Sequence, residues 1–454
     1  MPRLAIRSAL LLACLLASSS ASAQTPAPAT AKPATSPLTI HVGDADLLIG
    51  GFMDATAITR STNTGNGLPT AFGSIPFTTS TAGNLSETRL SSQNSRLSLL
   101  ATSTAGRAAI RGYVEADFGG NAPTNLVVTS NGLTFRMRLY WAQATIGTFE
   151  FLGGQSWSLM TPGRNGISPS PGDVFFSQLM DTNYQAGLTW GRTTQFRFVA
   201  HPSKNFAAAI SFENPQQYVG SAVTLPTAFA ASEVDNGGNA AAPNFMPDVI
   251  GKLSWDVPTG DTRQHVEVAG LVRRFKTFDQ PTSTTPTATG TGASVNVNLE
   301  VAKGVRLIGN SFFSKGGGRY IANTNIPDFI IGADSAITLV TSKSIMGGVE
   351  ANAGTKTLLF GYVSQIMADQ ATTIDPANNK AIGFGVASQT GANKTIQETS
   401  VGFNYSFFKD PKIGAMQLIA QFSYLTRTPF SVPTGTPSSA NAKMFFFDLR
   451  YILP

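Results

Sequence analysis

Along residues 107–118 the side chains alternate in chemistry. Arg107, Ala109, Arg111, Tyr113, Glu115 and Asp117 fall on one face of an extended strand, and Ala108, Ile110, Gly112, Val114, Ala116 and Phe118 fall on the other. A period of two marks a strand with two different surroundings. One face here carries both signs of charge and the other carries none. A soluble sandwich buries such an apolar face against a second sheet. A membrane barrel turns it to lipid and keeps the charges in its lumen.

The same alternation recurs with a regular rhythm of strand, short turn, strand, long loop. It predicts strands at 47–58, 88–102, 107–118, 134–146, 148–157 and 184–200, then a seventh ending at Glu213. Further strands are predicted at 249–256, 265–276, 294–301, 305–314, 342–352, 357–367, 397–407, 415–426 and 443–453. That makes about sixteen, with short turns on one side and long loops on the other, as in outer-membrane barrels. The expected fold is all-β: a transmembrane antiparallel β-barrel of about 16 strands, with short periplasmic turns and long extracellular loops. On 397–407, Thr399, Val401, Phe403, Tyr405 and Phe407 oppose Glu398, Ser400, Gly402, Asn404 and Ser406. Tyr405, Phe407, Tyr424 and Tyr451 lie near strand ends, where such barrels place aromatic girdles.

Composition supports this choice. Charged residues make up 13% of the 454, about half the usual share for a soluble domain. The mature chain has no uncharged apolar run of the roughly 20 residues that a membrane helix needs. Arg3 and Arg7, the apolar stretch 9–17 and Ala21-Ser22-Ala23 form a secretory signal over residues 1–23. Residues 24–45, Pro/Ala-rich over 24–37, are a disordered leader, and 46–454 are the barrel. A second reading takes Leu11-Leu12-Ala13-Cys14 as a lipid-attachment box, but cleavage there leaves an apolar core shorter than usual. Cys14 is the one cysteine, so the mature chain has no disulfide and no thiol chemistry. Loss of Arg3 and Arg7 lowers the formal charge from +6 to +4, with no basic run, which gives no reason to expect a nucleic-acid partner.

The strand register sends Arg96, Arg111, Arg136, Arg138 and Arg197 into the lumen, with Tyr113, Glu115 and Asp117 on the same wall. Guanidinium groups stay solvated in a water-filled pore, and their summed field concentrates anions. The same residues also suit a bracing role, paired with Glu115, Asp117 and Asp54. The long connection after the fifth strand, 160–180, is rich in Pro and Gly and carries Phe175-Phe176. Folded into the barrel, it is the candidate constriction loop, with Arg164, Asp173 and Asp181 facing the arginine wall.

Enzymatic readings find little support. His41, His201 and His265 form no H-x-x-x-H or H-E-x-x-H pattern, and Gly154-Gln155-Ser156-Trp157-Ser158 lacks the last glycine of a nucleophile elbow. Lys315-Gly316-Gly317-Gly318-Arg319 lacks the order of a phosphate-binding loop. No cofactor is expected.

Gly51-Phe52-Met53-Asp54, Asn94-Ser95-Arg96-Leu97, 112–118 (GYVEADF), Arg136-Met137-Arg138 and Gly154-Gln155-Ser156-Trp157-Ser158 resemble the DcaP-like trimeric outer-membrane porins. The resemblance covers roughly the first third of the mature chain. It implies a homotrimer set in outer-membrane lipid that passes small anionic solutes such as dicarboxylates. The chain departs from that pattern in having no N-terminal coiled-coil segment. It also ends at Tyr451-Ile452-Leu453-Pro454, where the porin insertion signal usually ends in Phe or Trp; the expectation is that the barrel assembly machinery recognises Phe447 and Tyr451 instead, or that the signal differs in this lineage. A plugged structural or adhesin-type barrel is the alternative function. N-terminal sequencing of the purified protein is expected to begin at Gln24; a lipid-modified Cys14 would establish the lipoprotein reading instead.

Overall fold

A computed structural model describes residues 36–65, 67–121, 133–170, 185–219, 223–226, 246–279, 281–387 and 389–454. Sixteen strands close into an antiparallel barrel. They are β1 (Ala45–Arg60), β2 in two pieces (Glu87–Ser91 and Arg96–Ala105), β3 (Ala108–Asp117), β4 (Arg136–Ile146), β5 (Phe149–Trp157) and β6 (Arg192–Ser203). Next come β7 (Phe206–Glu213), β8 (Asp248–Thr259), β9 (Thr262–Lys276), β10 (Thr287–Ala302) and β11 (Val305–Lys315). The last five are β12 (Thr341–Ala353), β13 (Thr357–Ala368), β14 (Asn393–Asp410), β15 (Gly414–Pro429) and β16 (Ala440–Ile452). Each strand pairs with its sequence neighbours, and β1 pairs with β16 from Phe52↔Ile452 to Arg60↔Met444, which leaves the barrel no free edge.

Thr39–Val42 forms a short strand paired with the start of β1, so ordered chain begins inside the stretch assigned to the leader. The β2 strand is not continuous as expected, because 92–95 loop out of the ladder and Ser95 Oγ accepts the N–H of Asp54 at 2.9 Å. The predicted sixth strand starts later, at Arg192.

Seven tight turns lie at one end of the barrel. Gly106, Gly147, Gly260 and Gly354 occupy positive φ in four of them, a conformation that costs a side chain with Cβ roughly 1–2 kcal/mol. All the long connections lie at the other end. The outward face is apolar from strand to strand: Val114, Phe151, Phe198, Val295, Val363, Val401, Phe447 and Leu449 all stand exposed. Phe206 packs on Trp255 and Tyr405 on Phe407 near the turn end, and Tyr424 lies near the loop end. No described helix is long and apolar enough to cross a membrane.

One irregularity sets the wall beside Asp117. A bulge between β3 and β4 gives β4 one residue more than its partner. Arg138 and Leu139 therefore both face inward and are fully covered, while Met137 and Tyr140 on either side are exposed. The outward apolar band makes a direct prediction. Val401→Arg, in the middle of β14, is expected to lower the unfolding free energy in bilayers by about 2–4 kcal/mol; an unchanged urea midpoint would mean that this face does not meet lipid.

Candidate functional site

The inward face is where the fold concentrates polar side chains, and the third long connection lies across it. Its outgoing limb, 158–170, enters the barrel after Trp157 and runs along β7 to β10. A strap of backbone buried this way brings peptide N–H and C=O groups that need partners. The wall supplies them. Glu213 accepts the N–H of Leu159 at 2.7 Å, Glu267 that of Gly163 at 3.0 Å and Asp256 that of Gly166 at 2.8 Å. Lys252 Nζ donates to Thr161 O at 2.7 Å, Asn296 Nδ2 to Gly163 O at 2.9 Å, and Arg197 to Ser168 O at 3.2 Å and to Trp157 O. The carboxylates are held in turn. Lys252 Nζ lies 3.4 Å from Glu267, and His265 sits between Asp256 at 3.1 Å and Glu267 at 3.3 Å. Beyond these strands, the Arg164 guanidinium forms a two-pronged pair with Glu350 on β12 at 2.6 and 2.8 Å, and Tyr362 Oη donates to the same carboxylate at 2.7 Å.

The returning limb, 185–191, meets the far wall. The N–H of Ala186 donates to Glu398 at 2.8 Å, and Gln185 Nε2 reaches Ser364 Oγ at 3.3 Å. The two limbs join where Thr189 Oγ1 donates to Met160 O and the N–H of Ser158 donates to Gly191 O. Other connections fill space beside this strap. Phe72, Ile75 and Phe77 from the first loop pack with Tyr320, Ile321 and Ile326 from the sixth and with Leu188, against inward apolar residues such as Phe312 and Phe446.

On β2 to β6 the wall is different. Asp117 takes a bidentate pair from Arg136 at 3.0 and 2.8 Å and a further bond from Arg138 at 2.7 Å, while Arg138 Nε also binds Glu115 at 2.8 Å. Tyr113 Oη donates to the other oxygen of Glu115 at 3.0 Å. Arg138 and Arg192 lie against Trp157, 5.9 and 5.4 Å from its ring centre, and Trp190 packs on Trp157 at 4.0 Å. Arg96 stands opposite Asp117 in register, and its guanidinium and that of Arg450 flank Phe52. A polar cavity of about 410 Å³ is lined by Gln93, Asn94, Arg136, Trp157, Trp190 and Arg192 among others.

The predicted site residues thus separate into groups. Arg136, Arg138, Glu115, Asp117 and Tyr113 form one bonded cluster on β3 and β4, with Arg96 across from it. Only Arg136 of the paired arginines keeps a large exposed fraction, at 43% of its side chain. Arg138 and Arg197, expected to line open pore, are instead covered, because Arg138 spends its donors on Glu115 and Asp117 of the wall and Arg197 its donors on Gln195 and the strap. Arg111 faces inward and is exposed, but it lies six residues along β3 from Asp117, about 20 Å toward the turn end, and so belongs to the opposite mouth. Arg164 does enter the barrel, yet it turns to Glu350 rather than to the arginine wall. Asp173 and Asp181 lie outside the described residues. Sequence reasoning missed Arg192, hidden at a strand start, and the receptor set of Glu213, Lys252, Asp256, His265, Glu267 and Glu350. Their signal was available: all six fall on the polar face of four predicted strands, the seventh and those at 249–256, 265–276 and 342–352.

Glu267→Gln would leave Lys252 buried beside a neutral group and weaken the hold on Gly163. The expected cost is about 3 kcal/mol by denaturant unfolding, with faster proteolytic cleavage within 158–170; wild-type stability and protection would show that the strap does not depend on this carboxylate.

Comparison with family models and with characterised protein sequences gives no match. Solved structures do match. The outer-membrane channel DcaP of Acinetobacter baumannii is 16% identical, and the alignment covers 91% of this chain and 98% of that one with a TM-score of 0.66. OprB of Pseudomonas putida is 9% identical over 89% of this chain and 94% of its own, with a TM-score of 0.51. The chain has the fold of the DcaP-like porins.

Proposed function

We propose that this protein is an outer-membrane porin, exported by its N-terminal signal, that lets small hydrophilic solutes diffuse across the membrane with a bias toward anions. The observation that carries this reading is the cavity beside β2 to β6, whose described lining includes two guanidinium groups and no carboxylate. Arg136 offers the exposed part of a side chain whose other edge is fixed by Asp117. Arg192 is steadied against Trp157. Cations held in place beside a water-filled path raise the local anion concentration without trapping the ion. Organic acids are the solute class that fits best. A homotrimer is part of the proposal: outward Gly112 and Ala142, paired on β3 and β4, are small residues suited to close contact between copies.

The apolar packing of the first and sixth loops inside the barrel favours one other reading, a plugged barrel with a structural role. Liposome swelling separates the two, since a plugged barrel admits neither sugars nor organic acids.

In a planar bilayer under a salt gradient, the reversal potential is expected to have the sign of anion preference. Arg136→Ala with Arg192→Ala should move it most of the way to zero, and Arg111→Ala much less. The preference should weaken as salt shortens the Debye length below about 8 Å. Cation preference in the wild type, or an unchanged potential in the double variant, would overturn the proposal.

A further inference from the structure

The outer wall of β4 to β7 carries a feature that the channel does not use. Two adjacent rungs cross these four strands on the lipid side. One runs Ala144, Phe151, Phe198, Ile210 and the next, nearer the turns, runs Ile146, Phe149, Ala200, Ala208. Phe149 and Phe198 stand 66% and 47% exposed and rise above the alanines, leaving a depression of about 570 Å³. Its lining is apolar except for Glu150, whose carboxylate accepts from Gln143 Nε2 at 2.7 Å and contacts His201 at 3.1 Å.

The three turns from β2 to β7, below this groove, carry charge of one sign. Lys204 stands exposed at the tip of the turn joining β6 to β7, which carry Ala200 and Ala208. The turn between β4 and β5 is uncharged, and Arg107 stands exposed on the turn at its other side, between β2 and β3. None of these three turns carries a carboxylate. Phe206 and Trp255 pair at 5.1 Å at the same depth, where aromatic rings mark the boundary between hydrocarbon and headgroups. Exposed cations therefore sit one step beyond an apolar groove, at headgroup level.

We propose that this groove is a binding site for an anionic phospholipid of the leaflet at the turn end, with an acyl chain across the alanine floor and the phosphate beside Lys204, Arg107 adding to the positive field of that rim. The acyl chain gains contact that a flat wall would not give, and the two cations favour a net negative headgroup over a zwitterionic one.

Native mass spectrometry of the full-length protein, delipidated and then mixed with equal amounts of phosphatidylglycerol and phosphatidylethanolamine, tests this. The wild type should retain phosphatidylglycerol at least threefold over phosphatidylethanolamine. Lys204→Glu with Arg107→Glu, on turn tips that the barrel does not pack against, should remove that preference while leaving phosphatidylethanolamine retention unchanged. Ala208→Trp should reduce retention of both lipids. Equal retention of the two lipids by the wild type would overturn the proposal. So would Ala208→Trp that dissociates the oligomer without changing lipid retention, since the occupant would then be a second copy of the chain.

Discussion

A connection folded into a barrel must find partners for peptide groups that have left bulk water, and in this protein the wall provides them as charges. Glu213, Asp256 and Glu267 accept N–H groups of the strap, while Lys252 and Arg197 donate to its carbonyls. An ion is a stronger partner for a peptide dipole than a neutral side chain, roughly twice so. It also carries a desolvation cost that only opposite charge at close range offsets. The wall meets both demands by alternating carboxylates with Lys252, His265 and Arg197 across β6 to β9. Loss of one member would leave its neighbours buried and unbalanced, so the strap and the wall are held as a unit.

That arrangement divides the interior. The side of β7 to β14 is used to anchor the strap, and apolar loop residues complete the packing there. The side of β2 to β6 is left with the open polar cavity, and its arginines are fixed from behind: Arg136 by Asp117, Arg138 by Glu115 and Asp117, Arg192 against Trp157. Arg138 and Arg197 belong to the bracing. Arg136 and Arg192 are the cations that a passing solute would meet. On the proposed function, selection and bracing are divided between arginines two positions apart on β4 and five apart on β6, rather than shared by one row.

Much of this could be read from the chain. Strand number, the alternation of faces and the sorting of turn and loop lengths all follow from period two, which a closed sheet enforces at every residue because a slip of one would turn charges into lipid. Tyr113, Glu115 and Asp117 were correctly placed together for that reason. Three things were not legible. The bulge at Arg138 and the loop-out at 92–95 change register locally without any strong sequence mark. The partner of Arg164 is Glu350, 186 residues away, and no periodicity reports such a distance. The loop residues Phe72, Ile75, Tyr320 and Ile326 follow no strand or helix period in the sequence, and only the closed barrel brings them into one core.

The central claim is that the strap is tied across the lumen by charge. The Arg164–Glu350 ion pair ties its outgoing limb to β12, and exchanging the two charges tests it most directly through unit conductance. Arg164→Glu and Glu350→Arg should each give a larger and noisier conductance than the wild type, because each places two like charges together and releases the strap. The double exchange should return the trace to the wild-type level. Single variants that conduct like the wild type, or a double exchange no closer to it than either single variant, would contradict the account.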